Sequence, residues 1–311
     1  MRPTDRIRGL STEQDRPNFF AGPYIERRAE LRETADWRSE ALEDPSTQFL
    51  LGRGTAHLLL LEPTPRIAFV GANHPLVQTA TESQFVLLGW FRGARVVLVE
   101  TESESPTDPF PGARFEELRP LSAVLPAQEA GLLAYARALS IWRSRHRFCG
   151  RCGSPFVPER AGHVLRCSNS ACGNESFPRI DPAIIVLVSD GEHALLGRQA
   201  SWPAGRYSTI AGFVEPGESL EDAVAREVLE ETGVRVMRAR YQSSQPWPFP
   251  SSLMIGFQAI AEPGAMIQVG GELEDARWFT RSQILDGTPI LPPPHAISFR
   301  LIDAWLRNSI D

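Results

Sequence analysis

The stretch "AGFVEPGESLEDAVAREVLEETGV", residues 211–234, decides how the second half of this 311-residue chain is read. Its apolar residues Leu220, Ala223, Val224 and Val228 recur at helical spacing and make one stripe. Ser219 stands where a helix cap belongs, with Asp222 three residues on as a short version of the capping box. Gly233 is placed to stop the helix. The carboxylates are the anomaly. Glu227 and Glu231 lie one helical pitch apart on the same face, with Glu230 beside them, and their arc overlaps the apolar stripe. Like charges at a partly buried edge repel, so a positive group belongs among them. Arg226 reaches Glu230 four residues on, but one arginine does not neutralise three acids. A hard divalent cation, Mg²⁺ or Mn²⁺, suits carboxylate and carbonyl oxygens. Taken alone, the residues also fit a solvated acidic face paired elsewhere.

Working outward, the composition bounds the rest. The chain is 42% hydrophobic and 23% charged, an ordinary globular balance with ample core, and its length suggests roughly two domains. A formal charge of −6 argues against a dominant non-specific grip on nucleic acid. No apolar run approaches the about 18 residues needed to cross a bilayer; "AIIVLV" (183–188) is strand-length. The start, "MRPTDRIRGLSTEQD", lacks the apolar stretch of a signal peptide. The expectation is a cytoplasmic protein with no membrane partner.

All four cysteines fall in one short region: Cys149 and Cys152 in "CGRCG", Cys167 and Cys172 in "CSNSACG". Two thiol pairs, each followed by glycine, suit tetrahedral structural zinc, although the second pair has four intervening residues instead of two. A redox pair and an iron–sulfur site are the alternatives, and His163 is a possible substitute ligand. Arg147, Arg151 and Arg166 around these thiols read either as contacts for RNA phosphates or as solvated surface.

Between the start and the cysteines, "QFVLLGW" and "ARVVLVE" flank "FRG" like a hairpin, with Gly93 in the turn. "TESESPTDPFPG" (101–112) reads as a loop. From Glu129, apolar residues at 132, 135, 136, 139 and 142 predict a helix leading to the first thiol pair. After Cys172, "FPRIDPAIIVLVSDGEHALLGRQ" reads as a strand, an Asp190–Gly191 turn and a second strand. The expected domains are 1–130, a linking helix with the thiol ribbon at 131–178, and 179–311.

One further stretch asks for an explanation: "SQPWPFPSS", Ser244 to Ser252, with a proline at every second position and an aromatic residue in each gap. Each X-Pro step favours extended backbone, which would project Trp247 and Phe249 to the same side. The residues alone fit either a rigid turn with aromatics tucked into a core or a stacking platform.

Gly212, five residues, Glu218, seven residues, then "REVLEETGV" is similar to the Nudix box at every fixed position. With the thiol ribbon ahead of it and "SQPWPFPSS" behind, residues 115–311 resemble the NADH pyrophosphatase (NudC) subfamily of Nudix hydrolases. The resemblance implies an α/β fold: a Nudix α/β/α sandwich with a mixed sheet, preceded by a zinc ribbon and a smaller N-terminal α/β domain. It implies that Glu227, Glu231 and the carbonyl of Ala211 hold the divalent ions, with Glu230 sharing in metal binding or activating water. Arg226 would orient the glutamates and Glu218 brace the loop. The substrate platform would be Ser244, Gln245, Pro246, Trp247, Pro248, Phe249, Pro250, Ser251 and Ser252, joined by Phe213 after the Nudix glycine. Phe177, where the subfamily has a tyrosine, would complete the sandwich from a neighbouring subunit. Weaker carry-overs are Asp275 as a metal ligand in place of glutamate, Ser298 as a substrate contact, and Arg119, which the residues alone leave as surface. The implied activity is Mg²⁺- or Mn²⁺-dependent cleavage of NADH or NAD⁺ into NMN(H) and AMP, with removal of NAD caps from RNA 5′ ends, in a homodimer carrying structural zinc. Other nucleoside diphosphate derivatives, such as ADP-ribose or diadenosine polyphosphates, are the alternative substrates. A non-catalytic nucleotide- or RNA-binding module is the remote one.

Overall fold

A computed structural model describes residues 17–102 and 112–307; most of the loop expected at 101–112 lies outside the described residues. Two units emerge from the chain's contacts. One comprises Phe20–Arg179 together with Pro248–Ser251, the other Ile180–Trp247 together with Ser252 onward and the segment ending at Phe19.

The first unit is built on a seven-stranded sheet. Its strands are β1 (Ile25–Glu26), β2 (Gln48–Arg53), β3 (Ala56–Leu60), β4 (Arg66–Ile67), β5 (Phe85–Phe91), β6 (Ala94–Glu100) and β7 (Ala113–Glu117), in the order β1-β5-β6-β2-β3-β4 with β7 on β3. β2 and β6 run parallel; the other pairs are antiparallel. The β5–β6 hairpin turns at Arg92 and Gly93, both with positive φ (52° and 86°), the backbone a tight two-residue hairpin demands. Val96 to Val99 are all buried, so both faces of the sheet are covered. One face packs Phe49, Leu51, Phe85, Leu87, Val97 and Val99 with Ala41 of α1 (Trp37–Glu43) and Val77 of α2 (Pro75–Gln78). After the short α3 (Leu118–Leu121) comes α4 (Ala127–Arg145), the expected linking helix, which buries Leu132, Leu133, Ala136, Leu139 and Trp142.

The thiol ribbon follows as a three-stranded antiparallel sheet of β8 (Phe156–Glu159), β9 (Val164–Cys167) and β10 (Glu175–Ser176). His163 is not turned to the thiols: its Nε2 meets the Leu87 carbonyl at 2.8 Å.

The second unit has a six-stranded mixed sheet of β11 (Asp181–Ser189), β12 (His193–Arg198), β13 (Ile210–Phe213), β14 (Val236–Trp247), β15 (Ser252–Ala261) and β16 (Asp275–Thr280). The order is β14-β15-β11-β12-β16 with β13 also on β11; β11 and β15 are parallel. The run "AIIVLV" lies at its centre and serves both faces by strand alternation. Ile184, Val186 and Val188 pack against Ala223, Val224 and Val228 of α5 (Leu220–Thr232). Ile185 and Leu187 pack instead against Ile297, Leu301, Ile302 and Trp305 of α7 (Ile297–Arg307), which follows the short α6 (Arg281–Leu285). The unit is therefore an α/β/α sandwich, as expected. No helix among the described residues is long and apolar enough to cross a membrane.

Candidate active site

The site is assembled at the edge where β13 leads into α5. Ser219 and Asp222 form the capping box: the Ser219 hydroxyl accepts from the Asp222 amide at 3.1 Å, and the Asp222 carboxylate accepts from the Ser219 amide at 3.0 Å. Gly233 ends the helix with φ 69°, a left-handed cap. The helix start is thus fixed locally, which sets the azimuth of every carboxylate that follows.

Arg226 is the organising cation. Its Nε and Nη2 donate to the two oxygens of Glu218 at 3.0 and 2.7 Å, a bidentate pair. Nη2 also donates to the Phe213 carbonyl at 2.9 Å, and Nη1 to Glu227 at 2.9 Å and Glu230 at 3.1 Å. One guanidinium therefore ties β13, the loop 214–218 and two turns of α5 together. Glu218 accepts the Glu215 amide as well, at 2.7 Å, and these bonds, Arg226's first, hold its carboxyl below the usual range. Spacing alone offered Arg226 Glu230 as a helical partner; Glu218 and the Phe213 carbonyl are reached through the fold.

Glu231 is the acid left over. It is 6% exposed, and among the described residues no hydrogen bond or ion pair reaches its carboxylate. Burial first, then the charges of Glu227 and Glu272, push its pKa up to about 7. Glu272 escaped the sequence reading because it sits in a loop with no period linking it to α5. That loop docks on the end of the helix, with the amides of Gln268 and Gly270 donating to the carbonyls of Thr232 and Glu231 at 2.8 Å each. Glu227 is also nearly buried, and β13 runs so close beneath it that a Cβ on Gly212 would fall 1.9 Å from its carboxyl carbon. Two buried carboxylates with only one cation between them, on a set of hard oxygen donors, fit a divalent hard cation.

The other expected ligands and contacts are placed as follows. Ala211 lies on β13 opposite Ile185. Asp275, on β16, is engaged: it accepts the hydroxyl of Tyr207 and pairs with Arg277 at 2.6 Å. Phe213 and Phe177 are each more than half exposed, large apolar rings facing solvent in their own units. Ser298 is buried on α7. The extended reading of "SQPWPFPSS" holds only through Trp247. Ser244 to Trp247 end β14, Trp247 pairs with Ser252, and residues 248–251 close the hairpin between β14 and β15, so Trp247 and Phe249 do not share one strand face. Gln245 is fully buried, its Nε2 donating to the carbonyls of Phe19 and His295 and its Oε1 accepting the Ile297 amide. In the first unit, the guanidinium carbons of Arg119 and Arg137 lie 5.5 and 5.4 Å from the Phe249 ring centre.

The four thiols converge. All their sulfur atoms lie within 4.8 Å of one another, with Cys149–Cys172 at 3.9 Å and Cys152–Cys167 at 3.4 Å. Those separations are far beyond a disulfide and near the about 3.8 Å edge of a tetrahedron with 2.3 Å zinc–sulfur bonds. The Arg151 amide and Asn174 Nδ2 approach the Cys149 sulfur at 3.4 and 3.5 Å, the kind of N–H donors that orient and stabilise a thiolate. The donor set fits zinc. Of the arginines nearby, Arg166 is committed to Glu159 and Glu175 at 2.6 Å each.

Comparison with known proteins matches three consecutive segments: the NADH pyrophosphatase-like rudimentary NUDIX domain to residues 39–142, the NADH pyrophosphatase zinc ribbon domain to 144–177, and the NUDIX domain to 179–302. The NAD-capped RNA hydrolase NudC of Stutzerimonas stutzeri (strain A1501) is 44% identical over 223 residues, covering 72% of this chain and 78% of its own. The NAD-capped RNA hydrolase NUDT12 of Homo sapiens is 33% identical over 339 residues, covering 93% of this chain and 73% of its own. Among solved structures, a NUDIX hydrolase from Nitrosomonas europaea aligns over 51% of this chain and 90% of its own at 21% identity, with a TM-score of 0.43.

Proposed function

Since the chain belongs to the Nudix hydrolases, in the branch that joins an NADH pyrophosphatase zinc ribbon to a Nudix domain, we propose that it hydrolyses the pyrophosphate bond of NADH and NAD⁺ to NMN(H) and AMP. We propose that it removes NAD caps from RNA 5′ ends by breaking the same bond. The observation that carries the reading is the buried Glu231 carboxylate beside Glu227, left without a cationic partner in a chain that also bears an unbroken "SQPWPFPSS".

In this reading Glu227, Glu231 and the Ala211 carbonyl, with Glu230, hold Mg²⁺ or Mn²⁺. A cation bound there neutralises phosphoryl charge and lowers the pKa of water. Arg226 keeps Glu227 and Glu230 at fixed azimuths, so the carboxylates need not reorganise when substrate arrives. Glu230 is exposed and held by a single bond to Arg226, which leaves an oxygen free to take the proton of the attacking water. Glu218 fixes the loop 214–218. Phe213, Phe177 and Trp247 supply faces for the base and nicotinamide, each stacked ring contributing about 1–3 kcal/mol. Gln245 and Ser298, both buried, serve by seating the end of β14 and the start of α7. Asp275 meets Tyr207 and Arg277 through one carboxylate oxygen, which leaves the other to join the metal site.

The same reading takes the four cysteines as the ligands of a structural Zn²⁺. It takes 1–130, 131–178 and 179–311 as the domains, and the working form as a cytoplasmic homodimer. The exposure of Phe177 on the ribbon and of Phe213 supports a second copy.

The test is a product assay with Mn²⁺ or Mg²⁺ comparing NADH, NAD⁺, ADP-ribose and an NAD-capped RNA, with Glu231→Gln as control. AMP and NMN(H) from the dinucleotides, absent in the control, are expected. Faster turnover of ADP-ribose than of every NAD-containing substrate would overturn the substrate assignment and leave the reaction type.

A further inference from the structure

Arg137, on α4, carries no motif and was not singled out by the sequence. Its side chain is 11% exposed, an unusual depth for an arginine. Two of the three guanidinium nitrogens are engaged by segments far apart in the chain. Nε donates to the Pro248 carbonyl at 3.0 Å, while Nη1 donates to the Thr55 carbonyl at 2.7 Å and to Glu117 at 2.9 Å. Its carbon centre lies 5.4 Å from the Phe249 ring. Glu117 is itself braced by the Thr55 hydroxyl. Arg137, Thr55, Glu117, Pro248 and Phe249 all belong to the first unit.

The turn it grips is a poor candidate for holding itself. Residues 248–251 read Pro-Phe-Pro-Ser, and the two prolines have no N–H to donate to a turn bond. Phe20 packs edge-on against Phe249 at 5.9 Å, and the guanidinium of Arg119, an exposed residue, lies 5.5 Å from the ring centre. Arg137 adds a hydrogen bond to the turn's backbone at Pro248. Burial of a guanidinium is unfavourable unless hydrogen bonds and an opposite charge offset it; here Nε and Nη1 meet two turn carbonyls and a carboxylate.

We propose that Arg137 is a positioning residue for substrate binding: it holds Pro248 and Phe249 so that the aromatic turn is preformed before the dinucleotide arrives. The proposal rests on the reading above that residues 244–252 contact substrate. A loop ordered in advance spares the substrate the entropy of ordering it, which strengthens ground and transition states alike. The effect therefore falls on KM and not on kcat.

The experiment is steady-state kinetics on NADH with Mn²⁺ for the full chain and for Arg137→Ala, Arg137→Lys, Trp247→Ala and the Arg137→Ala/Trp247→Ala double variant, with thermal melts of each. Arg137→Ala is expected to raise KM by about tenfold with kcat within about twofold. Arg137→Lys, which keeps the charge and one donor, recovers part of that loss. The double variant loses less than the product of the two single effects, because both act through one hairpin. An unchanged KM in Arg137→Ala beside a raised KM in Trp247→Ala overturns the proposal and leaves the substrate reading intact. Unchanged KM in both overturns the substrate reading instead. If Arg137→Ala does not fold, Arg137→Lys decides: wild-type KM with a lowered melting temperature makes the residue structural only and sinks the idea.

Discussion

Gly212 and Glu227 are in contact across a gap no side chain fits: a Cβ at 212 would lie 1.9 Å from the Glu227 carboxyl carbon and 2.0 Å from Oε1. The backbone of β13 is thus the floor on which the first turn of acids rests. Gly212→Ala is expected to push Glu227 off its bond to Arg226 and lower kcat by about a hundredfold, since ångström-scale misplacement costs about that much. The check is kcat for NADH beside a circular dichroism spectrum; a folded Gly212→Ala protein with full activity would show that the floor is not needed.

Arg226 answers to Glu218, Glu227 and Glu230 at once. Arg226→Lys keeps the charge but not the fork, and is expected to lose about 10–100-fold in activity, as outer-shell substitutions at metal sites do. The sign of the pH effect follows from Glu218, whose carboxyl the arginine holds below its usual range. A depressed carboxyl adds stability above its unfolded pKa and loses it as pH falls through the folded one. Arg226→Ala should therefore melt lower than wild type at pH 7, with the gap closing as the pH falls below the usual carboxylate range in a melting series.

Glu231 works in the opposite direction. Its carboxyl is raised from 4.5 to about 7, so the folded chain holds that proton more tightly than the unfolded one. Without added divalent metal, stability should fall as pH rises from about 4.5 to about 7, by no more than about 3 kcal/mol from this group. Glu231→Gln removes the penalty: at pH 8 it is expected to melt above the metal-free wild type while losing hydrolysis. Added Mn²⁺ should raise the melting temperature of the wild type and leave the variant nearly unmoved, which differential scanning calorimetry reads directly.

The thiol cluster makes a separate prediction. Metal analysis should find one zinc per chain, released by a mercurial thiol reagent, and Cys167→Ser should lose it. Binding energy at such a site is folding energy, so the variant is expected to expose residues 147–177 to limited proteolysis. A zinc-free chain with an uncut ribbon would count against the metal.

Much of this was legible in the order of residues, because it is local. Helix period, a Ser–Asp cap, a terminating glycine and two thiol pairs each fix their geometry within a few residues. They therefore gave α5, the ribbon and the carboxylate face before any tertiary contact was known. The β5–β6 hairpin and the two central strands of the sandwich belong to the same class. The extended reading of "SQPWPFPSS" failed past Trp247 because a hairpin's closing residues are set by the register of its strands, not by the preference of each X-Pro step.

Which acid is left without a cation was not local. Arg226 spends its donors on Glu218, Glu227 and Glu230, Glu272 arrives beside Glu231 on a loop, and Asp275 is taken by Tyr207 and Arg277. The burial of Gln245 and the grip of Arg137 on Pro248 are likewise products of chain segments up to about two hundred residues apart. The sequence by itself determined the donors of this protein: its acids, thiols and aromatic rings, and the helix that carries the acids. Only the tertiary structure decided which of them are paired, because the energy of a buried charge depends on its neighbours in a low-dielectric interior, and those neighbours are chosen by packing.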